Sequence, residues 1–130
     1  MLTIQQTYQI GSPGETVWQA LVDPKIIAQW SGDKAVMDAK EGTKFTLWSG
    51  EIYGTNLELV PNKKLVQEWL TKGSDKKTKV TISLKSKDGG TEVSLSHKNI
   101  SDQKAYDDFA DGWQKYFFGP MKKLLESEVN

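Results

Sequence analysis

The hydrophobic pattern of this sequence changes its period near residue 100, and that change restricts the chain to folds that combine a sheet with a helix. Val80, Ile82 and Leu84 alternate with polar residues, which is the period of a half-buried strand. From about 103 to 127 the apolar residues recur at helical spacing instead. This second stripe consists of Tyr106, Phe109, Trp113, Tyr116, Phe117, Met121, Leu124 and Leu125. Strands followed by a long aromatic helix predict an α+β fold, with the helix packed on one face of a curved antiparallel sheet.

The remaining pattern predicts one strand and two short helices before a meander of strands. Residues 2–10 alternate, and Ser12-Pro13-Gly14-Glu15 indicates a helix that Ser12 caps. Asp23-Pro24 starts a second short helix. The later strands are predicted at 43–48, 51–60, 64–71, 78–85 and 91–98, with a weaker one near 34–39. We therefore expect six or seven strands in a single domain, 1–130, with space for a cavity between the sheet and the long helix.

The composition excludes several classes of function. The 17 cationic residues, all lysine, balance 17 acidic ones, so we expect no nucleic-acid partner. The absence of cysteine excludes disulfides and cysteine-ligated zinc and fits a cytoplasmic location. The start of the chain is neither basic nor continuously apolar, and no apolar run exceeds three residues. We therefore expect no secretion signal and no membrane partner.

Motifs over nearly the whole chain, in order, resemble one family. They are Ser12-Pro13, Val17-Trp18, Ala20-Leu21, Asp23-Pro24, Trp30, Glu41-Gly42-Thr43-Lys44-Phe45, Gly54, Leu59-Val60-Pro61, Leu65-Val66 with Trp69, His97, and the run from Gly112-Trp113 to Phe118. This order resembles the activator-of-heat-shock-protein-90-ATPase homologues. Those proteins belong to the START-like, helix-grip superfamily, which includes the birch-pollen-allergen fold.

The resemblance implies a helix-grip fold and leaves two kinds of partner open, a small ligand and a heat shock protein 90 homologue. Eukaryotic activators carry a separate N-terminal domain ahead of the part resembled here. This sequence begins at its first strand, so we expect it to lack that domain. If it binds a heat shock protein 90 homologue, we expect it to stimulate the ATPase only weakly.

A predicted pocket between the last helix and the sheet supplies the candidate site. Its expected ligand-binding residues are Gln6, Phe45, Trp69, Ile82, Leu95, His97, Phe109, Trp113, Tyr116 and Phe117. Such a pocket is apolar, with Gln6 and His97 as its few polar anchors, and favours a small apolar or amphipathic ligand. We predict no cofactor, no metal and no catalytic residue.

Three features have more than one interpretation. His97, the only histidine, suits a general base, a ligand anchor, or a core imidazole bonded to one neighbour. Asp107, Asp108 and Asp111 could hold a cation, but we expect them to oppose the dipole at a helix start. Gly119-Pro120 predicts either a kink that shapes the pocket mouth or a tolerated bend near a fraying end.

Three functions follow, in decreasing order of support. The first is a non-catalytic small-molecule-binding module, with a stress-related role as a further expectation. The second is a co-chaperone-like protein that binds a heat shock protein 90 homologue, which follows from the resemblance alone. The third is a cyclase or hydrolase of the same superfamily, which depends on His97 and a pocket. No G-x-S-x-G nucleophile pattern accompanies that histidine.

Overall fold

The computed structural model describes residues 1–127; the last three residues of the predicted domain, 128–130, lie outside the described residues. Its elements are β1 (Leu2–Ile10), α1 (Gly14–Val22), α2 (Pro24–Ser31), β2 (Lys44–Leu47), β3 (Ile52–Val60), β4 (Lys64–Thr71), β5 (Thr78–Lys87), β6 (Gly90–Ile100), α3 (Gln103–Gly112), a π-helical segment (Trp113–Phe118) and α4 (Gly119–Ser127). We call the last three together the C-terminal helix. The predicted α+β class is confirmed.

The described strands form one antiparallel sheet in the order β1-β6-β5-β4-β3-β2. Register shifts at Leu2/Ile4 and Asn56/Glu58 bend the strands. The weaker strand expected near 34–39 is wrong, because only Val36 pairs with the sheet, through two hydrogen bonds to Thr46. The sheet therefore has six strands, and with the C-terminal helix packed on it the predicted helix-grip fold is confirmed.

The two short helices begin differently from each other. The predicted Ser12 cap is wrong, since α1 has Pro13 at its N-cap and no side-chain cap. Ser12 instead donates its hydroxyl to the Leu125 carbonyl at 3.4 Å and accepts at its own carbonyl from Thr91 Oγ1 at 2.7 Å. These bonds link the start of α1 to α4 and β6. The Asp23 cap of α2 is confirmed, because its side chain accepts from the Lys25 backbone N–H at 2.9 Å.

A π-helical segment interrupts the C-terminal helix where the sequence carries Gly119-Pro120. The Gly119 N–H donates to the Gln114 carbonyl, five residues back rather than four. A Cβ on Gly119 would lie 2.3 Å from the Gln114 oxygen, so this turn needs glycine. Pro120 follows directly and has no N–H to donate, so Gly119 and Pro120 together interrupt the α-helical hydrogen-bond pattern. The helix does not fray there, because Met121 and Leu125 beyond the proline are buried.

The π-helical segment also rotates the buried face of the helix. One extra residue in a turn shifts that face by about 100°, the angular step of one α-helical residue. As a result Phe118 is fully buried and stacks on Tyr8 with ring centroids 4.7 Å apart. Tyr116 is 57% exposed, so the prediction that it packs against the sheet is wrong.

Candidate ligand-binding groove

A groove of about 450 Å³ lies between α3 and the end of the sheet formed by β3 and β4. None of the ten residues of α3 is fully buried, whereas α4 buries Met121 and Leu125. The C-terminal helix is therefore packed less closely in its first part, which leaves this space. The walls are aromatic rings from both sides. They belong to Trp48, Trp69, Phe109, Trp113, Tyr116 and Phe117.

Four of the six rings, those of Trp48, Trp69, Trp113 and Phe117, form one connected aromatic cluster. Trp69 and Trp113 stack with centroids 4.7 Å apart and an interplanar angle of 29°. Phe117 lies 4.7 Å from Trp113 and 6.2 Å from Trp48. Offset and edge-on pairs at these distances are favourable beyond the area that they bury. The groove therefore has walls that hold their positions without a ligand.

A left-handed turn after β2 places Trp48 and Glu51 at the groove. Trp48 and Ser49 have φ angles of 50° and 54°, a conformation that is unusual for bulky residues. Hydrogen bonds secure it, from the Ser49 N–H to the Lys34 carbonyl at 3.0 Å and from the Ser49 hydroxyl to Asp33. The latter bond also lowers the pKa of the Asp33 carboxyl below its usual value. Backbone strain of this kind is often held at binding sites.

The polar atoms of the two stacked tryptophans are bonded within the core. Trp69 Nε1 donates to Gln67 Oε1 at 2.8 Å, and Trp113 Nε1 donates to His97 Nδ1 at 3.0 Å. Both acceptors are buried. Because the indole N–H groups are already satisfied and the two rings stack on each other, these tryptophans present only ring carbon to the groove.

His97 is fully buried and bonded at both ring nitrogens. An indole N–H can only donate, so Nδ1 is the unprotonated nitrogen. Nε2 then carries the proton and donates to Thr78 Oγ1 at 2.8 Å. The Thr78 hydroxyl in turn donates a hydrogen bond to the Trp69 carbonyl at 3.3 Å. Burial lowers the pKa of His97 from 6.5 to about 4.

This arrangement corrects the sequence-based view of His97. The ring bonds two neighbours rather than one, and it is not among the residues that line the groove. It has no free nitrogen to anchor a ligand or to act as a general base. Its role in this structure is to hold Trp113 and Thr78.

Gln6, the other expected polar anchor, also bonds to the protein. Its Nε2 donates to the Ala110 carbonyl at 3.0 Å, and its Oε1 accepts from the Tyr8 hydroxyl. Gln6 therefore fastens β1 to α3 and lies outside the groove. Desolvation accompanies this contact and raises the pKa of the Tyr8 phenol.

The ten predicted site residues fall into two groups. Trp69, Phe109, Trp113, Tyr116 and Phe117 line the groove. Gln6, Phe45, Ile82, Leu95 and His97 do not; the last four are buried in the core. The reason is that the rings of the helix fill the centre of the sheet's inner face, so open space remains only toward the end of the sheet.

Five groove residues are not among the ten expected ligand-binding residues, namely Trp48, Glu51, Ile52, Asp108 and Gly112. The position of Trp48 beside the Ser49-Gly50 turn was the available signal, because a large aromatic residue in a turn is unusual. A second cavity of about 350 Å³ lies on the other side of Phe109 and shares Trp69 and Asp108 with the groove. Phe109 therefore divides the space beneath α3.

The aspartates of α3 do not gather as a cation site. Asp107 accepts from Gln103 Nε2 at 2.8 Å, Asp108 pairs with Lys104 at 3.0 Å, and Asp111 lies 4.0 Å from Lys115. They stand beyond the first turn of α3, so the expected dipole role is wrong for them. Asp102 fills that role by capping the Ala105 N–H at 2.8 Å.

Within residues 1–127, no three histidine or acidic side chains converge as they would around a metal ion. The helices of this same range are too short or too polar to span a bilayer.

The comparisons with known proteins agree with this fold. The curated mouse protein "Activator of 90 kDa heat shock protein ATPase homolog 2" is 29% identical over 126 residues, which cover 95% of this chain and 35% of that protein. The chain thus spans about a third of the length of the curated relatives it matches.

Two solved structures are similar over almost all of their length. The crystal structure of an HSP90 activator from Plasmodium falciparum has a TM-score of 0.88 and 26% identity, covering 97% of both chains. The solution structure of the Aha1 dimer from Colwellia psychrerythraea has a TM-score of 0.85 over 97% of both chains, and its 18% identity shows the fold alone. The family model described as "Activator of Hsp90 ATPase homolog 1-like protein" matches residues 12–126, and the chain belongs to this family.

Proposed function

We propose that this protein is a non-catalytic binding module that holds a small apolar or amphipathic molecule in the groove. The observation that carries the proposal is a space of about 450 Å³ walled by six aromatic side chains. That volume lies within the range of small-molecule sites, which are mostly apolar with few polar groups. The buried hydrogen bonds of Trp69 and Trp113 support it further, because they position the walls before any ligand arrives.

The enzyme alternative has less support. The enzyme alternative depended on a His97 side chain that faces a pocket. The neutral His97 ring instead forms hydrogen bonds at both nitrogens and does not line the groove. A general base must come within hydrogen-bond reach of the proton that it removes. We therefore base the proposal on binding.

Prodan, a neutral and flat naphthalene dye, tests the groove directly. We expect it to bind saturably and to change tryptophan emission, because Trp48, Trp69 and Trp113 line the space. Gly112→Leu should weaken binding at least ten-fold by filling the groove. Gly112→Ala is the matched control, since a Cβ there meets only Tyr116 Cδ2, at an ordinary 3.8 Å.

Both variants should fold, because leucine and alanine each favour a helix over glycine by about 1 kcal/mol. Unchanged prodan affinity in Gly112→Leu would contradict the proposal. So would the absence of saturable binding to the folded wild-type protein.

A second candidate function is binding to a heat shock protein 90 homologue, and the family match favours it. The relatives are named as activators of that ATPase, and this chain corresponds to about a third of the mouse relative. We expect the 130-residue chain to stimulate a heat shock protein 90 ATPase weakly. The measurement is steady-state ATP hydrolysis at matched concentrations of this chain and the full-length mouse relative. Equal stimulation of the ATPase by the two proteins would contradict the expectation of weak activity. If this chain neither bound the heat shock protein 90 homologue nor changed its ATPase rate, the proposed partner would be wrong.

A further inference from the structure

We infer that the groove selects organic cations, namely flat or amphipathic amines that carry their positive charge at the groove's rim. This inference rests on the proposed function and specifies the class of ligand. It adds a charge to the sequence-based expectation of a small apolar or amphipathic ligand, because acidic groups line the groove.

The charged residues that line the groove are both acidic. Glu51 comes from the turn before β3 and Asp108 from α3, so the two carboxylates approach from the sheet side and the helix side. Lysines are as numerous as acidic residues in the sequence, yet none lines this groove. The local charge therefore differs from the zero net charge of the whole chain.

The nearby lysines compensate these carboxylates only in part. Within residues 1–127, the Glu51 side chain has no hydrogen-bond or ion-pair partner. Asp108 pairs with Lys104 at 3.0 Å, but both side chains are largely exposed, at 69% and 87%. Water screens such a pair strongly. Lys115 lies 5.8 Å from the Tyr116 ring centre and 4.0 Å from Asp111.

The rings of the groove favour the same sign of charge. The face of an aromatic ring is electron-rich and attracts a cation within about 6 Å of its centre, most strongly for tryptophan. Trp69 and Trp113 stack on each other and are almost fully buried, so Trp48 and Tyr116, which are partly exposed, are the rings of these walls that a cation can reach. An ammonium group near these two rings and the two carboxylates gains from both, whereas a carboxylate or phosphate loses from both.

Three probes of one shape and different charge test the inference. They are 2-naphthylmethylammonium, 2-naphthylmethanol and 2-naphthoate, titrated by calorimetry at low ionic strength. We expect the ammonium to bind about ten-fold more tightly than the alcohol, and the naphthoate to bind most weakly, given the usual strength of cation–ring and near-surface charge contacts. The preference should shrink as salt is added.

Two double variants distinguish the effect of the two groove carboxylates from the effect of the protein's net charge. Glu51→Gln combined with Asp108→Asn should reduce the ratio of ammonium to alcohol affinity to within about two-fold of unity. Glu41→Gln combined with Asp107→Asn makes the same change in net charge at residues outside the groove lining, and should keep most of the preference.

The outcomes distinguish this inference from the proposal beneath it. If neither the ammonium nor the alcohol binds, the proposed binding function fails and the inference fails with it. If the alcohol binds and the ammonium binds no more tightly, the inference alone is overturned. It is equally overturned if the Glu51/Asp108 variant keeps the preference, or if the Glu41/Asp107 control loses it to the same extent.

Discussion

Replacing Trp113 with alanine should lower the free energy of unfolding by about 3–5 kcal/mol, as for other large aromatic residues removed from a core. Trp113 is only 2% exposed. Its ring stacks on Trp69 and contacts Phe117, both with centroids 4.7 Å away, and lies 5.7 Å from Phe118. Its N–H supplies the hydrogen bond to His97 Nδ1. Alanine would therefore leave a cavity and a buried acceptor without a donor.

Urea denaturation of two further variants identifies the causes of this loss. Trp113→Phe keeps an aromatic ring but removes the N–H, so it should cost about 1–3 kcal/mol, the usual range for an unsatisfied buried group. Tyr116→Ala is the comparison variant, because it removes an aromatic side chain three residues after Trp113 in the same helix. Because Tyr116 is 57% exposed, its removal should cost less than about 1 kcal/mol.

The contrast between Trp113 and Tyr116 also tests the rotated helix face. A straight α-helix would bury Tyr116, and Tyr116→Ala would then cost several kcal/mol. A loss below about 1 kcal/mol for Trp113→Ala would show that this ring is not part of the core.

The strands were predictable because each has one face in the core. Residues predicted at 51–60, 64–71 and 78–85 lie in β3, β4 and β5, with ends that differ by no more than two residues. The segment near 34–39 shows the limit of this reasoning. Its apolar Val36 is 60% exposed, so alternation there does not reflect a buried face.

The C-terminal helix was predictable in extent but not in phase. Of its predicted apolar stripe, Trp113, Phe117, Met121 and Leu125 are buried. Within the π-helical segment, however, Tyr116 is exposed and Phe118, which the stripe did not include, is buried. Gly119 and Pro120 mark the place in the sequence, but a pattern that assumes 3.6 residues per turn cannot register the change.

The groove was only half predictable because its position depends on side-chain volume and on one unusual turn. Residues such as Ile82 and Leu95 have the correct face for a pocket, but the helix rings occupy that space. The left-handed conformation of Trp48 and Ser49 brings Glu51 to the rim. Neither residue type favours that conformation, so the position of Trp48 beside the Ser49-Gly50 turn marks the place in the sequence but does not predict the conformation.

Two chains of buried polar groups support the aromatic walls. In one, the Asn56 side chain donates to the Asp38 carbonyl at 3.0 Å, Gln67 donates to Asn56 at 2.8 Å, and Trp69 donates to Gln67. In the other, Trp113 donates to His97, which bonds Thr78. Such networks specify one arrangement of a core only while every member is satisfied. Protonation of His97 would break the second chain, since Nδ1 could then no longer accept.

Acidification from pH 7 to pH 5 should therefore destabilise the protein through His97. The pKa of His97 is about 4 in the folded protein because burial disfavours the charged ring, whereas the unfolded chain has the ordinary value near 6.5. Below pH 6.5 the unfolded state takes up a proton that the folded state does not. Stability is thus complete above that pH and falls as pH drops toward 4, by about 2 kcal/mol at pH 5 and about 3 kcal/mol in total.

Urea denaturation at pH 7, 6 and 5 measures this loss, with His97→Gln as the control that cannot titrate. Asp33, Glu92 and Glu126 have pKa values that hydrogen bonds lower, but at pH 5 even the unfolded chain keeps such carboxyls at least about three-quarters ionised, so each contributes only about 0.2 kcal/mol. The His97→Gln variant should be less stable than the wild-type protein at pH 7, but its stability should change little between pH 7 and pH 5. His97 is the only histidine, so the wild-type protein gives one unambiguous histidine NMR signal. That signal should titrate near pH 4, and this measurement does not depend on whether the variant folds. A titration near 6.5, or equal losses in both proteins, would mean that the ring is accessible to water and does not hold Trp113 against the groove.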